Sequence, residues 1–166
     1  GAGLDGFFAG QLQGRGHFRR RGRRHDQPAK AQLHHWHTGS TAELMQWGAA
    51  YGKGLQRLNI LRDAGADLAA GRCYLPEARL APLGLSPERL MQAARTGDAA
   101  TLQGLTPLWD DYLQQTQKQL SDGLRYSQCL SSRRLRLACA LPALIGARTV
   151  VLLRQAGPQA LTHRVK

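Results

Sequence analysis

From Thr41 onward, apolar side chains recur at intervals of three and four residues: Leu44, Trp47, Tyr51, Leu55, Leu58 and Leu61. Such intervals return to one side of a 3.6-residue turn, so they predict an amphipathic helix from about Thr41 to Ala69. Ser40-Thr41-Ala42-Glu43 offers a capping box at its start, and Gly71 offers a stop at its end. Tyr74-Leu75-Pro76 then reads as a short non-helical connector, because a proline pushes the residue before it toward extended geometry.

The same punctuation predicts three more helices. Ser86-Pro87-Glu88 supplies a cap, a proline at the first helical position and an acid in the first turn of a short helix that Gly97 ends. Thr106-Pro107 opens another that runs to about Cys129, and Ser131 or Ser132 caps a last one, rich in Leu, Ala and Val, that stops before Gly157-Pro158. No segment alternates apolar and polar residues between turn signals as a strand would, so the expected class is all-α. The most apolar stretch, Leu137–Leu153, holds Pro142 and Arg148 and falls short of the roughly 20 clean apolar residues a spanning helix needs. It is read as a buried helix.

Residues 1–39 break with this pattern. They are rich in glycine and contain the run Arg19-Arg20-Arg21-Gly22-Arg23-Arg24 and the cluster His34-His35-Trp36-His37, without a sustained apolar period. Chain of this kind cannot bury enough apolar surface to offset its conformational entropy, so the segment is expected to be disordered. Helical structure is expected over residues 40–166.

Charge narrows the partners. The 23 Lys+Arg against 11 Asp+Glu give the 166-residue chain a formal net charge of +12. Anions are the natural ligands: phosphorylated small molecules, acidic lipid or nucleic acid. The arginine run could hold polyanions by counterion release, but with few aromatic neighbours for base stacking it does not predict specific nucleic-acid recognition. The three cysteines, Cys73, Cys129 and Cys139, form no CxxC pair, which argues against a disulfide framework or a zinc site and for a reducing compartment. Phe7 and Phe8 are not set in the pattern of a signal peptide. The expected location is cytoplasmic, with peripheral membrane association as an added expectation.

The candidate chemistry lies on the first long helix. Gln56, Asn59, Asp63 and Asp67 are 3, 4 and 4 residues apart and so form one polar stripe. Two carboxylates one turn apart repel each other, and no Lys or Arg stands between them in the stripe, so a bound cation would remove the conflict. Magnesium suits the place, since it is held by one or two carboxylates together with substrate phosphate oxygens. Arg72 follows the helix and could fold back to grip a diphosphate with its fork of donors, with Arg62 and Lys53 adding charge nearby.

The full run Tyr51-Gly52-Lys53-Gly54-Leu55-Gln56-Arg57-Leu58-Asn59-Ile60-Leu61-Arg62-Asp63, then Asp67, then Gly71-Arg72-Cys73-Tyr74-Leu75-Pro76 resembles the squalene/phytoene synthase family. Its pattern, approximately Gln-x-x-Asn-Ile-x-Arg-Asp-x-x-x-Asp and then Gly-Arg-x-Tyr-x-Pro, is filled at every position here. Leu80-Ala81-Pro82-Leu83-Gly84-Leu85 is similar to the family's loop before a short helix. The resemblance covers about residues 40–166 and implies an isoprenoid-synthase-type helical bundle. It also implies head-to-head condensation of two prenyl diphosphates, such as farnesyl diphosphate, through a cyclopropyl intermediate with release of diphosphate.

Site roles follow from the resemblance residue by residue. Asp63 and Asp67 bind Mg2+ through diphosphate, Gln56 and Asn59 support that site, Arg62 and Arg72 contact the diphosphate, and Tyr74 lines the cavity. NADPH enters only for a squalene-type product. The family's first aspartate-rich helix has no counterpart in residues 1–39, where Asp5 and Asp26 are isolated. The chain is therefore expected to represent the C-terminal portion of such a bundle. The rival reading is a non-catalytic basic helical protein that binds anionic surfaces. Asp110-Asp111 is read as a pair of helix-terminal acids rather than the missing motif. His34, His35 and His37 lack a fourth ligand at a set distance and are read as tail residues. The cysteines and Trp47 and Trp109 are read as packing residues or cavity wall.

Overall fold

The structure, a computed structural model, describes residues 37–162. The expected disorder of the basic segment and the histidines His34 and His35 lie outside them. The described residues contain six α-helices: α1 (Thr41–Ala69), α2 (Glu77–Leu80), α3 (Pro87–Thr96), α4 (Ala99–Gln103), α5 (Thr106–Gln128) and α6 (Arg133–Ala156). Two 3-10 segments, Ala81–Leu83 and Gly157–Leu161, complete the order. No strand occurs among them, only an isolated bridge between His37 and Leu130, so the class is all-α as expected.

Helix ends follow the local chemistry with two exceptions, the starts of α1 and α6. Ser86 Oγ accepts from Arg89 N at 3.2 Å at the start of α3, and Asp98 caps α4 by accepting from Thr101 N at 3.2 Å. Ser40 stands at the N-cap of α1, but its side chain makes no capping bond, so the capping box does not form; Ser132 stands at the N-cap of α6, and its side chain makes none either. At the other end of α1, Gly71 has φ +77°, a geometry that side chains rarely adopt. Its N–H donates to Leu68 O at 3.0 Å and the next, Arg72 N, donates to Asp67 O at 2.8 Å. This is a Schellman turn, and it reverses the chain so that residues 72–75 pack back on the helix they have left. The short helices α2 and α4 have no counterpart in the periodicity, because four or five residues are too few to show one.

The core lies among α1, α5 and α6, with α3 and the C-terminal 3-10 turn against α1. Leu58, Leu61, Ala64 and Leu68 from α1 meet Trp109, Leu113 and Leu120 from α5 and Val150 and Leu153 from α6 in one cluster. Trp109 is 1% exposed, and its indole N–H donates to Leu153 O at 3.3 Å, so the bulky ring is buried without a stranded donor. Glycines let the long helices approach closely. A Cβ on Gly54 would stand 2.7 Å from Gln119 Cβ, and one on Gly146 would stand 3.0 Å from both Leu58 Cδ2 and Leu120 Cδ1. Gly123 faces the Tyr51 ring directly, and Tyr51 Oη donates to Cys139 O at 2.8 Å, so one tyrosine touches all three helices.

The apolar stretch of α6 is not a buried helix. Ala143, Gly146, Val150 and Leu153 face the core, but Leu137, Leu141, Leu144, Ile145 and Val151 are exposed, Ile145 by 66%. The reason is that apolar residues surround this helix whereas α1 and α5 cover one side of it. The most apolar 18-residue window within Arg133–Leu161 has a mean hydropathy of 1.7, so the segment is long and apolar enough by composition to cross a membrane.

Replacing Gly123 by Ala should destabilise the bundle by about 1–3 kcal/mol, the usual cost of overpacking. Gly52→Ala, where open space surrounds the new methyl, should not destabilise it. Urea unfolding of the two variants beside the parent checks the contrast.

Candidate functional site

On α1 the buried positions Tyr51, Leu58, Leu61, Ala64 and Leu68 define the inner face. At 100° per residue, Gln56, Asn59, Asp63 and Asp67 fall on the side turned away from it. The stripe exists, and its two carboxylates have different surroundings. Asp67, its side chain 18% exposed, lines a small cavity with Ile60, Ala64, Arg72, Cys73 and Tyr74. Asp63, 49% exposed, stands outside that cavity.

Nor are the two carboxylates left to repel each other. Arg62 Nε and Nη2 donate to Asp63 Oδ1 and Oδ2 at 2.9 and 2.8 Å, a two-pronged contact. Arg72 donates from Nη2 and Nε to a single Asp67 oxygen, at 2.9 and 3.3 Å. The expectation that no cation neutralises the stripe is therefore corrected. Arg62 reaches Asp63 from the adjacent position, and Arg72 is brought to Asp67 by the Schellman turn. Asp67 lies in the last turn of α1, where the dipole disfavours an anion and which holds no basic residue of its own. Arg72 offsets both charges. The hydrogen bond each guanidinium donates raises the pKa of Arg62 and of Arg72 above its already high ordinary value.

Around this pair, Gln56 is half-buried and Asn59 and Lys53 are exposed. The Tyr74 ring is 42% exposed at the cavity edge. Burial pushes the Cys73 thiol up, and its Sγ lies 3.7 Å from Leu75 O, so it is protonated and packed at neutral pH. Cys73, Cys129 and Cys139 are all free thiols of intermediate burial. Among the described residues no three His, Cys, Asp or Glu side chains gather as metal ligands.

A second polar cluster joins α1, α2 and α5. Arg79 Nη2 donates to Asp111 Oδ2 at 2.7 Å, and Gln115 Nε2 donates to the same oxygen at 2.8 Å. Arg79 and Arg57 place their guanidinium carbons 5.6 and 5.8 Å from the centre of the Tyr112 ring, and Arg57 also donates to Gln119 Oε1 at 2.8 Å. Asp111 is thus not a helix-terminal acid. It stands beyond the first turn of α5 and ties down the connector that carries Arg72. Periodicity gave no sign of this pairing, since Arg79 and Asp111 are 32 residues apart.

A model of the squalene/phytoene synthase family matches residues 25–166, which is most of the chain. The chain belongs to the squalene/phytoene synthase family. The match begins ahead of Ser40 and takes in every element of the bundle, including the motif on α1 and the turn after it. No curated protein and no solved structure matches the chain.

The Gln115 hydrogen bond first, and then Arg79, hold the Asp111 carboxyl below the ordinary carboxylate range. A group lowered in the folded state contributes stability above its unfolded pKa of about 3.9, and that contribution is lost as pH falls through the lower folded value. The acid limb of the stability curve below about pH 4 should therefore be shallower in Asp111→Asn than in the parent. Thermal unfolding measured from pH 2 to 6 checks this.

Proposed function

We propose that this chain carries the diphosphate-binding part of a prenyltransferase that condenses two prenyl diphosphates head to head with release of diphosphate. One observation carries the reading: the family's α1 motif is complete, and the turn that ends α1 brings Arg72 within 2.9 Å of Asp67. Two carboxylates and two guanidiniums are thereby gathered at one end of one helix.

The donor set fits magnesium of a particular kind. Two carboxylates without a third acid cannot build an all-protein cage, but Mg2+ is commonly held by one or two carboxylates, several waters and substrate phosphate oxygens. Asp63 and Asp67 would hold it in that way. When bound, it supplies a Lewis acid that neutralises charge on a departing diphosphate.

The chain's own groups divide the remaining work. In the absence of ligand, Arg62 and Arg72 hold the two carboxylates; with diphosphate present, both forks would have phosphate oxygens as a second acceptor within reach of the same positions. Gln56 and Asn59 place neutral amides along the same stripe, where they can donate to diphosphate oxygens or orient water without adding charge. Tyr74, at the cavity edge, borders the place where an allylic chain would enter. Arg79, held on Asp111 and over Tyr112, keeps the Gly71–Leu85 connector seated. Nicotinamide reduction would belong only to a squalene-type product.

Magnesium together with inorganic pyrophosphate should raise the unfolding temperature more than either component alone, since each completes the other's ligand set. Asp63→Asn or Asp67→Asn should remove most of the joint shift, and Asp110→Asn should leave it. With labelled farnesyl diphosphate as substrate, each of the first two changes should lower any turnover by about 100-fold or more, the scale of losing one charge-stabilising group. A full shift with pyrophosphate alone, retained in Asp63→Asn, would reduce the binding to attraction of a +12 chain for a polyanion.

A further inference from the structure

The connector after α1 runs back along the helix it has left. Arg57, Ile60, Ala64 and Asp67 are 3, 4 and 3 residues apart and form one ridge of α1, about 15 Å long. At its Asp67 end the ridge meets Arg72, Cys73, Tyr74 and Leu75 around the small cavity. At its Arg57 end it meets Arg79, because the guanidinium carbons of both arginines lie over one ring, Tyr112 of α5, at 5.8 and 5.6 Å.

The two ends are held by different means. The Schellman turn and the Arg72–Asp67 contact fix the first. Leu75 and Leu80, 6% and 0% exposed, set the depth of the connector against the core, but apolar contact is non-directional and does not fix its rotation. Helix α2 has four residues, too few to hold a helix by itself. The directional contacts at the second end converge on Tyr112. Its ring is buried, 4% exposed, and its quadrupole attracts one cation from α1 and one from the connector. Burial pushes the Tyr112 phenol up, so the ring stays neutral at physiological pH. The repulsion between the two guanidiniums is offset by Asp111: Gln115 first, and then Arg79 and Arg57, hold its carboxyl below the ordinary range.

We propose that Tyr112 is a positioning residue for the diphosphate site, holding Arg57 and Arg79 on one ring so that the connector keeps Arg72 over Asp67. The inference rests on the diphosphate reading given above. Tyr112 acts through Arg79 and the connector, and the role belongs to the ring, not to the hydroxyl.

Titration calorimetry of the full chain with Mg2+ and inorganic pyrophosphate tests this. Tyr112→Phe keeps the ring and should bind as the parent does. Tyr112→Leu should bind about tenfold more weakly, the scale of losing two cation–ring contacts. Phenylalanine carrying one, two or three fluorines at position 112 keeps the shape while draining negative charge from the ring face, so affinity should fall stepwise. A residue that only fills space would give a flat series. In an Arg72→Gln background Tyr112→Leu should add little, since the ring acts through Arg72. The inference is overturned by a flat fluorine series, by a Tyr112→Phe protein that loses affinity, by a Tyr112→Leu protein that keeps it, or by an equal effect with and without Arg72. A parent that binds no magnesium pyrophosphate overturns the proposed function instead. Amide exchange then decides the inference without ligand. The N–H groups of Arg72 and Arg79, bonded to Asp67 O and Pro76 O at 2.8 and 2.9 Å, should exchange faster along the fluorine series, and unchanged exchange overturns it.

Discussion

Tyr51 lying across Gly123 is the constraint on which the rest of the structure depends. The ring occupies the space where any other residue of α5 would carry a side chain, and its hydroxyl closes on the Cys139 carbonyl of α6 at 2.8 Å. Three helices of 29, 23 and 24 residues are thereby held at one crossing. Gly54 and Gly146 repeat the device at neighbouring contacts. With the rotation of α1 fixed by this crossing, every other residue on it has its direction set, and the polar stripe can only face away from the core.

That geometry gives the site its character. The Arg62–Asp63 contact is half exposed on both sides and so contributes little to stability, on the order of 0–1 kcal/mol. A pair of this strength can exchange partners for a ligand at small cost. Asp67 differs from Asp63 in lying under the reversed chain at the cavity edge, where the Schellman turn sets Arg72 over it. The Asp111–Arg79 pair, with Tyr112 beneath the guanidinium, seats the connector that follows.

The two outward faces, polar on α1 and apolar on α6, have one origin. α6 has leucines on more than one side, and α5 with α1 covers one. Both faces carry arginines, Arg62 on α1 and Arg134 and Arg148 on α6, and the faces differ by what lies between them. On α1 it is carboxylates and amides; on α6 it is leucine.

The sequence by itself determined the helical class, both ends of α1, the start and end of α3, and the span of α5 and α6 to within a residue or two. Those features are written in local chemistry: apolar spacing, Ser86 before Pro87, Gly71 and Gly97 at positive φ. It also determined the family, because the α1 motif is ordered and contiguous. Tertiary structure alone decided what those residues meet. It placed an arginine on each carboxylate, gave Asp111 to Arg79 across 32 residues, left the Ser40 cap unmade, and turned one face of the apolar α6 outward. Periodicity reports which residues share a side of a helix; which side is covered depends on how many helices are there to cover it.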